Sequence, residues 1–149
     1  MANTDQKTFK CELIGPAGKL LDSRATSIVF PAHDGQVGVL VGHMPMLSQL
    51  GLGVMRIVQA TEGSKAAESQ AELQFAIDGG FALVAENTVT VIAYNVLPLQ
   101  NVTMEAVQAL MDKVAKNLAD PAISPAQRAH ENERMRGLQK IAESIKQVS

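Results

Sequence analysis

Two different spacings of apolar residues divide the chain. Over its first two thirds they recur at every second position. Phe9, Cys11 and Leu13 alternate with Lys10 and Glu12, and Leu73, Phe75 and Ile77 alternate with Glu72, Gln74 and Ala76 before the turn signal Asp78-Gly79-Gly80. Phe81 to Ala85 comes next, then the turn-like pair Glu86-Asn87, then Thr88 to Ala93. Ile28 to Phe30, Val37 to Val41 and Val54 to Val58 are further strand candidates. Successive side chains of a strand point to opposite faces, so this alternation marks strands with one buried face; Gly or Asn supplies the positive φ of tight hairpins. Short strands at this spacing predict an antiparallel β-sandwich or barrel. The small, polar run 61–71 reads as a long hairpin connection between two of the strands.

Beyond Pro98 the period becomes helical. Met104, Val107, Leu110, Met111, Val114 and Leu118 follow the three-four spacing that lines up one stripe of a helix. Asp120-Pro121-Ala122-Ile123 breaks it. Ser124-Pro125-Ala126-Gln127 starts another, with Ser124 as cap, Pro125 at the first helical position and Gln127 completing a capping box. Leu138, Ile141, Ile145 and Val148 form the second stripe, and the short connector makes the pair an antiparallel helical hairpin. The expected organisation is therefore mainly β plus α: a β-sandwich over 1–97 and a two-helix hairpin over 98–149. The second helix is uneven. Between Gln127 and Arg136 its apolar candidates are Ala129 and Met135, and Gly137 in the interior costs up to about 1 kcal/mol relative to Ala. Glu131–Arg134, Glu133–Arg136 and Glu143–Lys146 are i,i+3 pairs worth a few tenths of a kcal/mol each. A helix with so narrow an apolar face either packs on the sandwich or waits for another protein.

Composition removes several functions. The net charge of −2 offers no basic field to hold a polyanion, and no Trp, one Tyr and four Phe leave few stacking platforms, so nucleic-acid binding is not expected. Cys11, the lone cysteine, has no disulfide partner within the chain and occupies an inward strand position, which reads as a buried structural thiol. The first ten residues lack the apolar run of a signal peptide, and no apolar stretch approaches the roughly 20 residues that span a bilayer. A link to a membrane would come through a partner, without direct insertion.

Catalytic chemistry finds little foothold. His33-Asp34 and His43 lack the spacing of a second metal ligand, and no G-x-S-x-G elbow is present. Gly51-Leu52-Gly53 lacks the third glycine of a dinucleotide fingerprint, and Asp34-Gly35-Gln36-Val37-Gly38 lacks the Lys-Ser/Thr of a P-loop; both read as turns in a β domain. No catalytic group, metal or cofactor is expected. Pattern and composition together describe a two-part, non-enzymatic interaction protein, such as an adaptor with a β-sandwich and a mobile helical arm.

One run of residues makes this more specific. Phe30-Pro31-Ala32-His33-Asp34-Gly35-Gln36-Val37-Gly38-Val39-Leu40-Val41-Gly42-His43-Met44-Pro45 resembles the segment in epsilon subunits of F-type ATP synthases where a strand end, a DGxxGIL-like turn and a GHxP loop follow one another. Leu47 to Ile57 continues the pattern. Phe75-Ala76-Ile77-Asp78-Gly79-Gly80-Phe81 resembles the family's strand-GGF-strand hairpin, and Asn87 to Ala93 its last sandwich strand. The match runs in order over residues 9–97, with the helical hairpin following where the family has one.

The resemblance implies a non-catalytic central-stalk (rotor) subunit on the cytoplasmic face of the bacterial plasma membrane, peripheral through its complex. Its sandwich would bind the gamma shaft subunit and stand on the ring of membrane-embedded proton-carrying subunits, coupling ring rotation to the catalytic head. By family position His43, Met44, Pro45, Met46 and Leu47 would face the shaft, and Asp34, Gly35 and Gln36 the ring, with Gln36 standing where relatives often carry a carboxylate. Arg128, Arg134, Arg136 and Lys140 of the second helix would meet an acidic segment of the catalytic alpha/beta head subunits and inhibit ATP hydrolysis; a solvated helix face is the other reading of these cations. Relatives that bind ATP begin the first helix with an I/L-D-x-x-R-A motif. Leu99-Gln100-Asn101-Val102-Thr103-Met104-Glu105-Ala106 has neither the Asp nor the Arg, so ATP binding is not expected.

Overall fold

A computed structural model describes residues 8–32, 35–60 and 71–148. Its strands are β1 (Phe9–Gly15), β2 (Gly18–Ala32), β3 (Gly35–Leu40), β4 (Met46–Gln59), β5 (Ala71–Ala85), β6 (Thr88–Ala93) and β7 (Val96–Pro98). A 3-10 turn over Leu99–Asn101 leads to the helices α1 (Met104–Leu118) and α2 (Pro125–Val148). His33-Asp34 and most of the polar 61–71 connection lie outside the described residues. On either side of that connection Gln59 pairs with Ala71, as a hairpin requires. Glu86 and Asn87 both take positive φ (52° and 58°) in the turn joining β5 to β6, the conformation expected of that pair.

The strands run in the order β1-β6-β5-β4-β2-β3, and β1 also pairs with β2, so the sheet closes on itself. Closure sets the first strand beside β6, running the same way: Lys10 to Ile14 pairs in parallel with Thr88 to Ile92, while the other pairings are antiparallel. A closed sheet leaves few free edges and resists bending. Phe9, Leu13, Ile28, Phe30, Met55, Ile57, Ile77, Val89 and Val91 fill its interior, each almost fully buried.

Gly51-Leu52-Gly53 is strand interior and not a turn. Along β5 the inward residues are Phe75 and Ile77, but beyond Gly79-Gly80 they are Ala82 and Val84; along β4 they change from Leu50 to Met55 and Ile57. Both strands reverse their faces at the same place, where Leu50 opposes Gly80 and Leu52 opposes Asp78. Backbones crowd at this corner. A Cβ on Gly80 (φ +131°) would fall on the Ile92 carbonyl, and one on Gly53 would stand 2.9 Å from Pro31 Cβ. The broken alternation makes one long strand look like two short ones with a turn between them.

The corner divides the outer surface. On one side Leu52, Val54, Ala76 and Asp78 face the hairpin; on the other Leu47, Phe81 and Leu83 face solvent. Both helix starts are capped, the second as the sequence predicts. Thr103 Oγ1 accepts from Ala106 N (3.1 Å), and the Ser124–Gln127 box is closed in both directions at 3.1 Å. Leu138 and Ile141 of α2, Val107 and Val114 of α1, Leu99 and Val54 of β4 make a second apolar cluster separate from the sandwich core. The hairpin is thus docked, and its narrow apolar face covers the sandwich.

Candidate partner-binding surfaces

Gly137 explains how α2 comes so close to β4. A Cβ at this position would land on the carbonyl oxygen of Leu52, so only glycine permits the approach. The helix gives up intrinsic stability there and gains the contact that buries Leu138. One turn earlier, Arg134 reaches across the same seam. Its Nη1 and Nη2 donate to Asp78 Oδ1 (2.9 Å) and Oδ2 (3.2 Å), a two-pronged ion pair with both side chains part-buried. The Asp78 carboxylate beside it holds the guanidinium pKa above its ordinary value. The i,i+3 partner expected for Arg134 is engaged elsewhere: Glu131 Oε1 accepts from Asn117 Nδ2 at 2.8 Å, across the hairpin.

The four cations assigned to the catalytic head thus differ in position. Arg128 Nη1 donates to the Leu118 carbonyl (3.2 Å), closing the end of α1 and tying the two helices together. Arg134 is committed to Asp78. Arg136 and Lys140 are exposed at the mouth of a cleft of about 590 Å³ between α2 and the sandwich corner. Gly35 and Gln36, assigned to the ring, line the opposite wall of that cleft, with Gln36 exposed. Residues expected to meet different partners are therefore neighbours in the docked form. Asp34 lies outside the described residues.

The loop assigned to the shaft divides in two. His43, Met44 and Pro45 are exposed, and His43 Nδ1 lies 2.8 Å from the Met44 carbonyl, an acceptor, so the proton sits on Nδ1. Met46, expected with them to face the shaft, begins β4 and turns inward, part-buried against the core. The outward residue is Leu47, 68% exposed, beside Met44 at 76%.

Leu47 opens onto a larger surface that the sequence reading missed. It pairs across the sheet with Leu83, and Phe81 pairs with Ile92. All of these are 40% or more exposed, and Tyr94 stacks edge-on against Phe81 at 6.1 Å. A signal was available, because Phe81 to Ala85 and Val89 to Ala93 carry apolar residues on both faces. Such a strand is covered twice.

Other candidate chemistry does not assemble. Among the described residues no group of three His, Cys, Asp or Glu gathers to hold a metal, and no helix is long and apolar enough to cross a membrane. Cys11 is fully buried, and burial pushes its thiol pKa up to about 12, far from any reactive thiolate. On the outside of β1, Glu12 is bonded by Lys19 (3.1 Å) and lies 3.4 Å from Lys10; those contacts lower its pKa, and Glu12 raises that of Lys19.

A closed sandwich with a docked two-helix arm defines a class, and residues 8–98 match the family model for the ATP synthase delta/epsilon chain β-sandwich domain. The chain is 35% identical over 111 residues to an ATP synthase epsilon chain from Synechococcus sp. (74% of each chain), and 34% identical over 119 residues to one from Paramagnetospirillum magneticum, covering 80% of this chain and 83% of that one. It belongs to the ATP synthase epsilon-chain family. The match to the epsilon chain of Latilactobacillus sakei, 27% identical, extends through the hairpin to 93% of the chain. The same fold occurs in a chain of the Euglena gracilis mitochondrial ATP synthase structure containing OSCP, F1 and c-ring (TM-score 0.71, 20% identity, 97% of this chain and 86% of that one). It occurs again in the central stalk and c-ring structure from Tetrahymena thermophila (TM-score 0.63, 15% identity, 95% and 99%).

Proposed function

We propose that this chain is the non-catalytic rotor subunit of a proton-translocating F-type ATP synthase, held at the cytoplasmic face of a bacterial plasma membrane through its complex. The observation that carries this reading is the uncovered apolar face Leu47, Phe81, Leu83, Ile92 and Tyr94 on a closed, stiff sheet, in a chain of this family. A subunit that transmits rotation needs a broad, desolvated grip on its neighbour and little give behind the grip. The face and the adjoining His43-Met44-Pro45 segment take the gamma shaft. Asp34, Gly35 and Gln36 are assigned to the proton-carrying ring, where Gln36 offers hydrogen bonds in place of a charge. The hairpin is the regulatory arm, and its cations meet the acidic surface of the catalytic alpha/beta head when it leaves the sandwich.

Two measurements test this. With Phe81→Glu and Leu83→Glu together, two unpaired charges would have to be desolvated at the centre of the shaft contact, a cost of several kcal/mol. Binding to purified gamma should weaken more than 100-fold while the thermal unfolding of the isolated chain barely changes, since both positions are exposed. Binding within threefold of the parent would rule out this face as the grip. Removing residues 126–149 should raise ATP hydrolysis by the assembled enzyme; unchanged hydrolysis would reject the braking role of the arm and leave the sandwich's role untouched.

A further inference from the structure

We infer that Asp78 and Arg134 form a latch that keeps the hairpin on the sandwich and, while closed, withholds Arg134 from any acidic surface of the catalytic head. The second half of this statement rests on the braking role proposed above; the first half does not.

The placement of the pair is what makes it a latch. The fully buried anchorage of α2 begins at Leu138; Met135 packs part-buried against the same cluster, and none of the helix's residues before Gly137 is fully buried. Arg134 is the charged tether at the boundary between the anchored half and the polar half. Motion that lifts α2 from its polar end must open this ion pair before it reaches the cluster around Leu138 and Ile141. The acceptor is held still. Asp78 sits at the strand corner, where its backbone N–H donates to the Asn95 carbonyl and Tyr94 N–H to the Gly79 carbonyl, both at 3.0 Å. A fixed carboxylate meeting a planar guanidinium on both prongs leaves that edge of the arginine no second partner.

The other basic residues give the contrast. Arg128 binds the Leu118 carbonyl within the hairpin, so it travels with the arm in either position. Arg136 and Lys140 line the open cleft and keep contact with water. Of the four cations, Arg134 is the one whose present bond joins the arm to the sandwich. It is therefore the residue for which docking and an outside acidic partner compete.

The competition gives the two partners opposite signatures. Asp78→Asn should speed hydrogen exchange of the α2 amides 139–147 about three- to tenfold in the full-length chain, as expected for loss of a part-buried bidentate pair. In the assembled enzyme the same variant should inhibit hydrolysis more strongly, because the arm is released with its arginine intact. Arg134→Gln should speed exchange equally but inhibit less, because the released arm has lost that cation. The exchanged pair, Asp78→Arg with Arg134→Asp, should restore exchange protection without restoring inhibition. Unchanged exchange in Asp78→Asn, or no recovery in the exchanged pair, would overturn the latch. Exchange that responds as stated while no variant alters hydrolysis supports the latch and sinks the braking role instead.

Discussion

Gly137→Ala should detach the hairpin from the sandwich while making the detached helix a better helix. The added methyl would fall on the Leu52 carbonyl, a backbone atom that no side-chain rotation can move aside. Relief requires α2 to retreat from β4, which opens the packing of Leu138 and Ile141. Overpacking of this kind costs about 1–3 kcal/mol, and a clash with backbone belongs at the upper end. The intrinsic gain from replacing an interior glycine is about 1 kcal/mol and acts in both the docked and the free arm. The two effects separate by experiment. A peptide covering 124–149 should show higher helicity by circular dichroism with alanine. In the full chain, amide exchange in α2 should accelerate about tenfold or more. A full chain whose α2 is protected as well as the parent's would show that the close approach at Leu52 does not hold the arm.

Leu138→Ala should have the largest local effect, and its contrast with Phe30→Ala should reveal two cooperative units. Leu138 is completely buried, and truncating such a side chain costs about 2–5 kcal/mol through lost transfer energy and the cavity left behind. Its neighbours are those of the hairpin seam, Val54, Leu99, Val107, Val114 and Ile141, and not those of the sandwich interior. The loss should therefore appear as an early transition in which the helices leave, with the sandwich melting near its original temperature. Phe30, also completely buried, belongs to the interior cluster, and its truncation, costing about 3–5 kcal/mol, should lower the melting of the whole chain. If Leu138→Ala instead shifted a single transition, the hairpin and the sandwich would be one cooperative unit.

That separation matters for a moving arm. An element that leaves its dock must be held by a cluster smaller than the core it leaves intact, so that release does not unfold the protein. The sandwich closes through β1, which pairs with β2 and β6, and does not depend on the hairpin for closure. The arm rests on the outer face of β4 and β5 and on Leu99 of the 3-10 turn, where the strand corner has turned Leu52, Val54, Ala76 and Asp78 outward.

The sequence by itself determined the elements and their ends. Alternation marked β1, β5 and β6, the three-four stripe marked α1 and α2, and Ser124 with Gln127 specified a helix start that is bonded as the capping box requires. These features are local: they depend on the period of the backbone and on groups three residues apart. Cys11 as a buried thiol followed from the same alternation. Tertiary structure decided what depends on distant residues meeting. Gly51-Leu52-Gly53 looked like a turn because a face reversal within a long strand has the same local signature as a chain reversal. Gly137 looked like a defect because its benefit lies at Leu52, 85 positions away in the chain (137 − 52). Arg134 looked like a partner for Glu131 because helix spacing brings those two together; the corner at Gly79-Gly80 is what brings Asp78 there instead. The apolar face of Phe81, Leu83 and Ile92 became a surface only once the closed sheet had used the opposite faces of the same strands for its core.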